Sequence, residues 1–214
     1  MEKLMLGKTG LMVSAIAMGG IPIMRLGKAE AVKVIRAVVD MGINFIDTAN
    51  SYVDSEEKIG EALKPYRRED VIIASKSAAR DKAAFLKHVQ LSLKRLNTSY
   101  IDIHYLHGVN TVEDMEKVMG EQGAYQGLAE AVRDGKIRHM AFSSHSLDTA
   151  LKMVRTDKFE VLQFPFNFVE KKAAEKLIPE ALKRNMGFIA MKPLGEECCP
   201  GQNWRSDSCP SMRI

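Results

Sequence analysis

Long apolar runs, paired cysteines and a secretion signal are all missing from this sequence of 214 residues. No stretch reaches the roughly 18 consecutive apolar residues that a membrane span needs, so we expect no membrane partner. The three cysteines, Cys198, Cys199 and Cys209, all fall within the last 17 residues and do not form the spacing of a disulfide framework. The first residues lack the pattern of a signal peptide. Together these absences predict a cytoplasmic protein.

An excess of one charge sign is missing as well. The 31 lysine and arginine residues are interspersed among 27 aspartate and glutamate residues, which leaves a net charge of +4. Proteins that grip phosphate backbones usually gather their cations on one face, and no such stripe is visible here. We therefore expect no nucleic-acid partner.

The sequence also lacks the glycine-rich G-x-G-x-x-G fingerprint that a dinucleotide-binding sheet carries after its first strand. What it has instead is a regular alternation of short apolar stretches and amphipathic stretches, in which polar residues follow nearly every apolar stretch. Such alternation is typical of βα units around a parallel sheet. The predicted strands are residues 15–18, 43–46, 71–75, 101–106, 139–142, 161–164 and 188–191, and the predicted helices are 31–41, 55–63, 82–96, 125–134, 147–156 and 171–185.

These elements predict an α/β fold of the TIM-type (β/α)8 barrel class, in which active sites are built from the loops after the strands. The barrel is expected to be incomplete, with about seven parallel strands, an N-terminal β-hairpin at residues 3–14 and no eighth strand. Residues 1–195 form the expected barrel domain, and residues 196–214 match neither helix nor strand. A long connection is expected at residues 108–122.

Three successive predicted strands end at residues with acid–base chemistry. Asp47 follows the strand at 43–46, Lys76 follows the strand at 71–75, and His107 follows the strand at 101–106, while Tyr52 lies on the loop after Asp47. A buried carboxylate needs a cation, and Lys76 is the best candidate. An ammonium near a phenol lowers the pKa of that phenol, so this group predicts a proton donor for a developing alkoxide. The hydride for such a carbonyl reduction has to come from a cofactor.

Each of these residues taken alone is more often structural, and the prediction depends on their common placement. The pair Gly19 and Gly20 is equally compatible with close ligand approach and with a plain loop. A zinc hydrolase is the weaker alternative, because His104 and His107 are expected on opposite faces of a strand. Asp102 is expected to pair with a neighbour, and Glu56 is expected to be a charge in the first turn of a helix.

The sequence resembles the aldo-keto reductase family, and it is most similar to bacterial members. The resemblance covers residues 1–195 and is carried by the segments 45–52, 55–60, 74–76, 102–107, 135–139 and 191–194. It implies the family's catalytic tetrad at Asp47, Tyr52, Lys76 and His107, with NADPH as cofactor and a small carbonyl compound as substrate. Tyr52 is then the general acid, with a pKa lowered by Lys76 and Asp47, and His107 orients the carbonyl. The implied cofactor contacts are Gly19, Gly20, Asp47, Ser143, Ser144, Gln163, Met191, Lys192, Pro193 and Leu194, and Met191 stands where many members stack an aromatic ring on the nicotinamide.

The segment after Gly195 departs from the family pattern, since the expected eighth strand and the last helices, which hold the 2′-phosphate end of NADPH, are missing. We hypothesise that residues 196–214 are a frameshift product, which sequencing of the gene tests. An unclosed barrel exposes two strand edges, so we expect self-association through them and weak NADPH binding. The sequence thus predicts an NADPH-dependent aldehyde or ketone reductase of impaired activity. A non-catalytic regulatory subunit that binds nicotinamide nucleotides is the alternative.

Overall fold

A computed structural model describes residues 1–193 of the chain. Leu194 and the segment 196–214, to which the sequence assigned a cofactor contact and a tail, lie outside the described residues. Strands β1 (Lys3–Met5) and β2 (Met12–Ser14) form an antiparallel hairpin, in which Leu4 pairs with Val13. This confirms the predicted N-terminal hairpin.

Seven parallel strands then alternate with seven α-helices. In chain order the elements are β3 (Met18–Gly19), α1 (Lys28–Asp40), β4 (Phe45–Asp47), α2 (Ser55–Leu63), β5 (Ile72–Ser77), α3 (Lys82–Leu96), β6 (Ile101–Leu106), α4 (Val112–Met119), α5 (Ala124–Arg133), β7 (Ile137–Ser143), α6 (Leu147–Val154), β8 (Val161–Pro165), α7 (Leu177–Lys183) and β9 (Gly187–Met191).

The sheet follows the chain order from β3 to β9 without a crossover, and it curls into an incomplete barrel. This confirms the predicted fold class and the count of seven strands. Within residues 1–193, β3 and β9 each pair with one neighbour only and form the two edges. Self-association through these edges stays a prediction.

Helix ends follow local sequence signals. The Asp81 side chain accepts a hydrogen bond from the Ala84 amide at 2.9 Å and caps α3, and Asn97 ends the same helix in the left-handed conformation. The hairpin docks beneath β9 at Gly7, where a side chain would meet the backbone nitrogen of Gly187 at 2.3 Å. Only glycine allows this close approach. Glycine also readily adopts the φ of +52° that the backbone has at this position.

Three elements differ from the sequence prediction. The first strand of the sheet is Met18–Gly19 rather than 15–18, since the Ala15 amide still bonds to the Glu2 carbonyl at 3.0 Å and continues the hairpin. The connection 108–122, for which no helix was predicted, contains α4, which is capped by Thr111. The expected helix 171–185 is a short 3₁₀ turn followed by α7, because Pro179 fits only the first turn of a helix.

The core has two parts, one on each face of the sheet. The convex face packs against the helices, through residues such as Phe85 of α3 and Phe142 of β7. The concave face encloses a smaller apolar cluster that the hairpin closes from below with Leu6 and Val13. No helix within residues 1–193 combines the length and apolar character needed to cross a membrane.

Candidate active site at the carboxyl ends of the strands

The interior of the barrel changes from apolar to polar toward the carboxyl ends of the strands. The enclosed apolar cluster includes Phe45, Ala74, Ala141 and Val161, one from each of four strands. Side chains two residues apart on a strand face the same side, so the next inward residue on each strand lies one layer higher. Those next residues are Asp47, Lys76, Ser143 and Gln163.

Asp47 and Lys76 form a buried ion pair on the neighbouring strands β4 and β5. The Lys76 side chain is 2% exposed and that of Asp47 is 14% exposed. The ammonium also donates to the Thr48 carbonyl at 2.8 Å. The carboxylate at the end of β4 therefore has the cation that the sequence predicted for it.

Tyr52 reaches the same place from the loop between β4 and α2. The Asn50 amide donates to the Lys76 carbonyl at 2.9 Å, and the Tyr52 amide donates to the Ala49 carbonyl at 3.0 Å, which fixes a tight turn at the mouth of the barrel. The Lys76 ammonium lies over the Tyr52 ring, 5.4 Å from its centroid. Val53, which follows directly, has a φ of 43°, a strained value for a β-branched residue.

His107 follows β6 and faces Tyr52. Its amide donates to the Ser77 carbonyl at 2.9 Å, which extends the pairing of β5 and β6 by one residue. The two rings meet edge to face, with centroids 6.1 Å apart and an interplanar angle of 81°. Burial, followed by the charges of Lys76, Arg80 and His145, lowers the pKa of His107 to about 4. The imidazole is therefore neutral at pH 7 and can donate one hydrogen bond and accept another.

The predicted direction of the Tyr52 pKa is wrong for this structure. Burial of the phenol, together with the negative charge of Asp47, raises the pKa of Tyr52 from 10.0 to about 12. Lys76 does not offset these effects, because its charge is committed to Asp47 and it faces the ring. Tyr52 consequently keeps its proton at physiological pH.

The residues assigned to cofactor contacts lie along the same rim. Gly19 ends β3 beside Asp47, with open space where a side chain would stand, whereas a side chain at Gly20 would meet the Ser55 hydroxyl at 2.5 Å. Gly20 is thus explained by packing. Ser143 pairs in register with Gln163, and Met191 ends β9, with Lys192 and Pro193 directly after it.

The hydroxyl groups of Ser143 and Ser144 already have hydrogen-bond partners within the chain. The Ser143 hydroxyl accepts from the Gly108 amide at 2.9 Å, and the Ser144 hydroxyl donates to the Ser146 carbonyl at 3.2 Å. The Gln163 side chain, by contrast, is 5% exposed and makes no hydrogen bond to residues 1–193. Its amide faces the barrel interior with donors and an acceptor available.

Several polar residues near the site were not singled out by the sequence. Arg80 donates to the carbonyl oxygens of His107 and Gly108, and Asn167 donates to the Lys192 carbonyl at 3.1 Å. The Tyr105 hydroxyl, which lies inside the barrel, and the Oδ1 atom of Asp47 are buried without a hydrogen-bond partner among the described residues. Alternation along β6 was the available signal for Tyr105, since it places Tyr105 on the side of Ile103.

The other predicted residues have structural roles. Asp102 pairs with Arg68 at 2.6 Å and with Arg138 at 3.3 Å, as expected. Glu56 lies in the first turn of α2, but it is buried, and it accepts from the Ser75 hydroxyl at 2.6 Å. His104 packs against Phe85 on the helix side of β6, away from the face on which His107 meets Tyr52. Within residues 1–193 no group of three His, Cys, Asp or Glu side chains is arranged to hold a metal ion.

Comparison with known proteins gives one consistent result. The sequence profile of the Aldo/keto reductase family matches residues 15–212. The aldo-keto reductase YhdN of Bacillus subtilis is 30% identical in an alignment of 199 positions that covers 85% of this chain and 58% of that protein. The chain spans between 51% and 66% of the length of the curated relatives that it matches.

Solved structures agree with this similarity. An aldo-keto reductase from Bacillus halodurans in its holo form has a TM-score of 0.76 at 27% identity, covering 89% of this chain and 65% of that one. An aldo/keto reductase from Klebsiella pneumoniae in complex with NADP and acetate has a TM-score of 0.76 at 25% identity, covering 89% of this chain and 67% of that one. Since the family profile matches almost the whole chain, this protein belongs to the aldo/keto reductase family of oxidoreductases.

Proposed function

We propose that this chain reduces an aldehyde or ketone to an alcohol, with hydride from NADPH. The observation that carries the proposal is the meeting of a protonated phenol, Tyr52, and a neutral imidazole, His107, above the buried pair Asp47–Lys76. Carbonyl reduction needs a hydrogen-bond donor and a proton source at the oxygen on which negative charge develops.

Each residue of this group has a distinct role. Tyr52 donates its phenolic proton to the carbonyl oxygen as that oxygen becomes an alkoxide. The raised pKa of Tyr52 remains compatible with this role, because an alkoxide is a stronger base than a phenolate. His107, which is neutral at pH 7, donates a hydrogen bond that orients the carbonyl. Lys76 lies beside the Tyr52 ring, and Asp47 holds Lys76 in place.

The rim residues fit a nicotinamide cofactor. When bound, NADPH supplies the hydride that no side chain can provide. The unpartnered amide of Gln163 suits the carboxamide of a nicotinamide, and the Met191 thioether suits contact with an apolar ring face. Ser143, Ser144 and the open position at Gly19 complete the set of residues that would hold the nicotinamide end. The structure of the Klebsiella pneumoniae relative in complex with NADP supports a cofactor of this class for this chain.

Consumption of NADPH in the presence of a nitrobenzaldehyde tests the proposal. Replacing the general acid in Tyr52→Phe is expected to lower the rate by about 100-fold or more, because a positioned proton donor contributes about 10²–10⁴-fold. Tyr66→Phe is the matched control, since it removes a phenol bonded to a surface carboxylate, Asp40, at 2.7 Å. Equal rates for wild type and Tyr52→Phe would remove the enzymatic assignment and favour a nucleotide-binding regulatory subunit.

A further inference from the structure

The loop that carries His107 leads directly into a helix that the sequence did not predict. Only residues 108–110 separate His107 from Thr111, whose hydroxyl caps α4 by accepting from the Asp114 amide at 3.0 Å. Val118 of α4 is fully buried in the core formed with α5 and α6. Because the connection is so short, any movement of α4 changes the position of the His107 backbone.

One side chain ties both ends of this connection to the preceding loop. The Arg80 guanidinium donates to the His107 carbonyl at 2.9 Å and to the Gly108 carbonyl at 2.9 Å. Its Nε atom donates to the Asp114 carboxylate at 2.9 Å. A planar guanidinium presents its donors in a fixed fork, so these acceptors are held in one mutual geometry.

The Arg80–Asp114 pair is only partly exposed, at 27% for Arg80 and 29% for Asp114. An exposed pair, such as Arg67 with Glu69 at 75% and 57%, is expected to contribute little to structure. The Arg80–Asp114 pair is expected to contribute more, because the Arg80 guanidinium also binds two backbone carbonyls at the mouth of the barrel.

We propose that Arg80 is a positioning residue for His107, which acts with Asp114 as a clamp between the end of β6 and α4. The inference deepens the proposed function, on which it rests, by naming what fixes the imidazole that orients the carbonyl. Arg80 does not touch the reacting atoms. It sets the backbone from which the His107 ring extends toward Tyr52, and a small displacement of such a group is costly for turnover.

The clamp also contributes charge to the site. Besides the phenol of Tyr52, the charged and titratable groups that face His107 are Lys76, Arg80 and His145, and these three lower the pKa of His107. Removal of the Arg80 charge is therefore expected to raise that pKa, whereas loss of the fork alone is not. This difference separates the electrostatic effect of Arg80 from its geometric effect.

Two substitutions at Arg80 test the proposal. Arg80→Gln removes the charge and the fork, and it is expected to raise the pKa of His107 by about half a unit or more, measured by NMR of the imidazole in the cofactor-free protein. Arg80→Lys keeps the charge, so the pKa of His107 stays near its wild-type value. Both variants are expected to lower kcat for nitrobenzaldehyde reduction about tenfold while KM changes less than about threefold, because positioning rather than binding is lost.

Arg67→Gln is the control for a lost arginine, and it is expected to match wild type in both measurements. A wild-type kcat in Arg80→Lys overturns the positioning role, and a wild-type pKa of His107 in Arg80→Gln overturns the electrostatic effect of Arg80 on the imidazole. If the wild-type protein reduces no carbonyl compound, the proposed function fails. The NMR measurement, which needs neither cofactor nor turnover, then tests the clamp by itself: His107 ring signals shifted in both Arg80 variants support it, and wild-type signals in both overturn it.

Discussion

The Lys76 ammonium lies over the Tyr52 ring, 5.4 Å from its centroid, while its charge pairs with Asp47. The ion pair with Asp47, rather than an interaction with the phenol, therefore holds the Lys76 ammonium against the Tyr52 ring. Burial and the Asp47 charge keep Tyr52 protonated, and the stability of the mouth of the barrel depends on one buried ion pair.

Breaking that pair is expected to destabilise the protein. Lys76→Met leaves the buried Asp47 carboxylate without its cation, which costs about 3 kcal/mol of unfolding free energy. Chemical denaturation measures this quantity. The control Lys117→Met breaks an exposed pair with Glu113 and is expected to cost less than about 1 kcal/mol. Similar losses in the two variants would contradict the buried character of the Asp47–Lys76 pair.

Tyr105→Phe tests the unpartnered phenol inside the barrel. The Tyr105 hydroxyl is fully buried and has no hydrogen-bond partner among residues 1–193. A buried hydroxyl without a partner costs about 1–3 kcal/mol, so its removal with the ring retained is expected to raise the free energy of unfolding by about 1 kcal/mol. Denaturant titration of both proteins decides this. A lower stability of Tyr105→Phe would mean that the hydroxyl has a partner in solution.

Val53→Asn tests the strain beside Tyr52. The φ of 43° at Val53 is costly for a β-branched residue, by roughly 1–2 kcal/mol, and asparagine tolerates this conformation better. Because the side chain is 71% exposed, the substitution is expected to raise the unfolding free energy by about 1 kcal/mol. Val169→Asn, at an exposed valine outside the positive-φ residues, is expected to change it by less than about 0.5 kcal/mol. Equal effects at the two sites would show that Val53 is not strained.

Stability is expected to fall with acidification below about pH 6.5. Burial lowers the pKa of His104 from 6.5 to about 3, so between these values the unfolded chain binds a proton that the folded protein does not. The stability that depends on neutral His104 is therefore complete above pH 6.5 and is lost as pH falls toward 3, at roughly 1.4 kcal/mol per pH unit. Unfolding free energies measured at several pH values give the slope. His104→Leu is expected to flatten it, and an unchanged slope would contradict the assignment.

The sequence predicted the features that depend on hydrophobic periodicity and on the residues at the ends of strands. Apolar stretches such as 101–106 predicted the seven parallel strands. The polar residues that follow three of them predicted that Asp47, Lys76 and His107 meet at one end of the barrel. The predicted strand boundaries were wrong where tertiary contacts determine the pairing. Ala15, for example, pairs with the hairpin instead of the sheet. The α4 helix was missed although Thr111 and Asp114 form a capping pattern, and this helix is only eight residues long.

Properties that depend on exact neighbours were beyond the sequence. The pattern of residues predicted that Lys76 lowers the pKa of Tyr52. The direction of this pKa shift depends on which group forms the ion pair with Lys76. Arg80 carries no motif, and its role follows only from the two carbonyls and the carboxylate that it reaches. The frameshift hypothesis for residues 196–214 stays a prediction, which the gene sequence decides.

The most direct test of the account is the fate of the hydride. NADPH deuterated at carbon 4 of the nicotinamide is incubated with the protein and a nitrobenzaldehyde, and the alcohol is analysed by mass spectrometry. The account predicts one deuterium on the carbinol carbon with the wild-type protein, and about 100-fold less labelled alcohol with Tyr52→Phe. Unlabelled alcohol, or equal labelling by the two proteins, would contradict hydride transfer assisted by Tyr52.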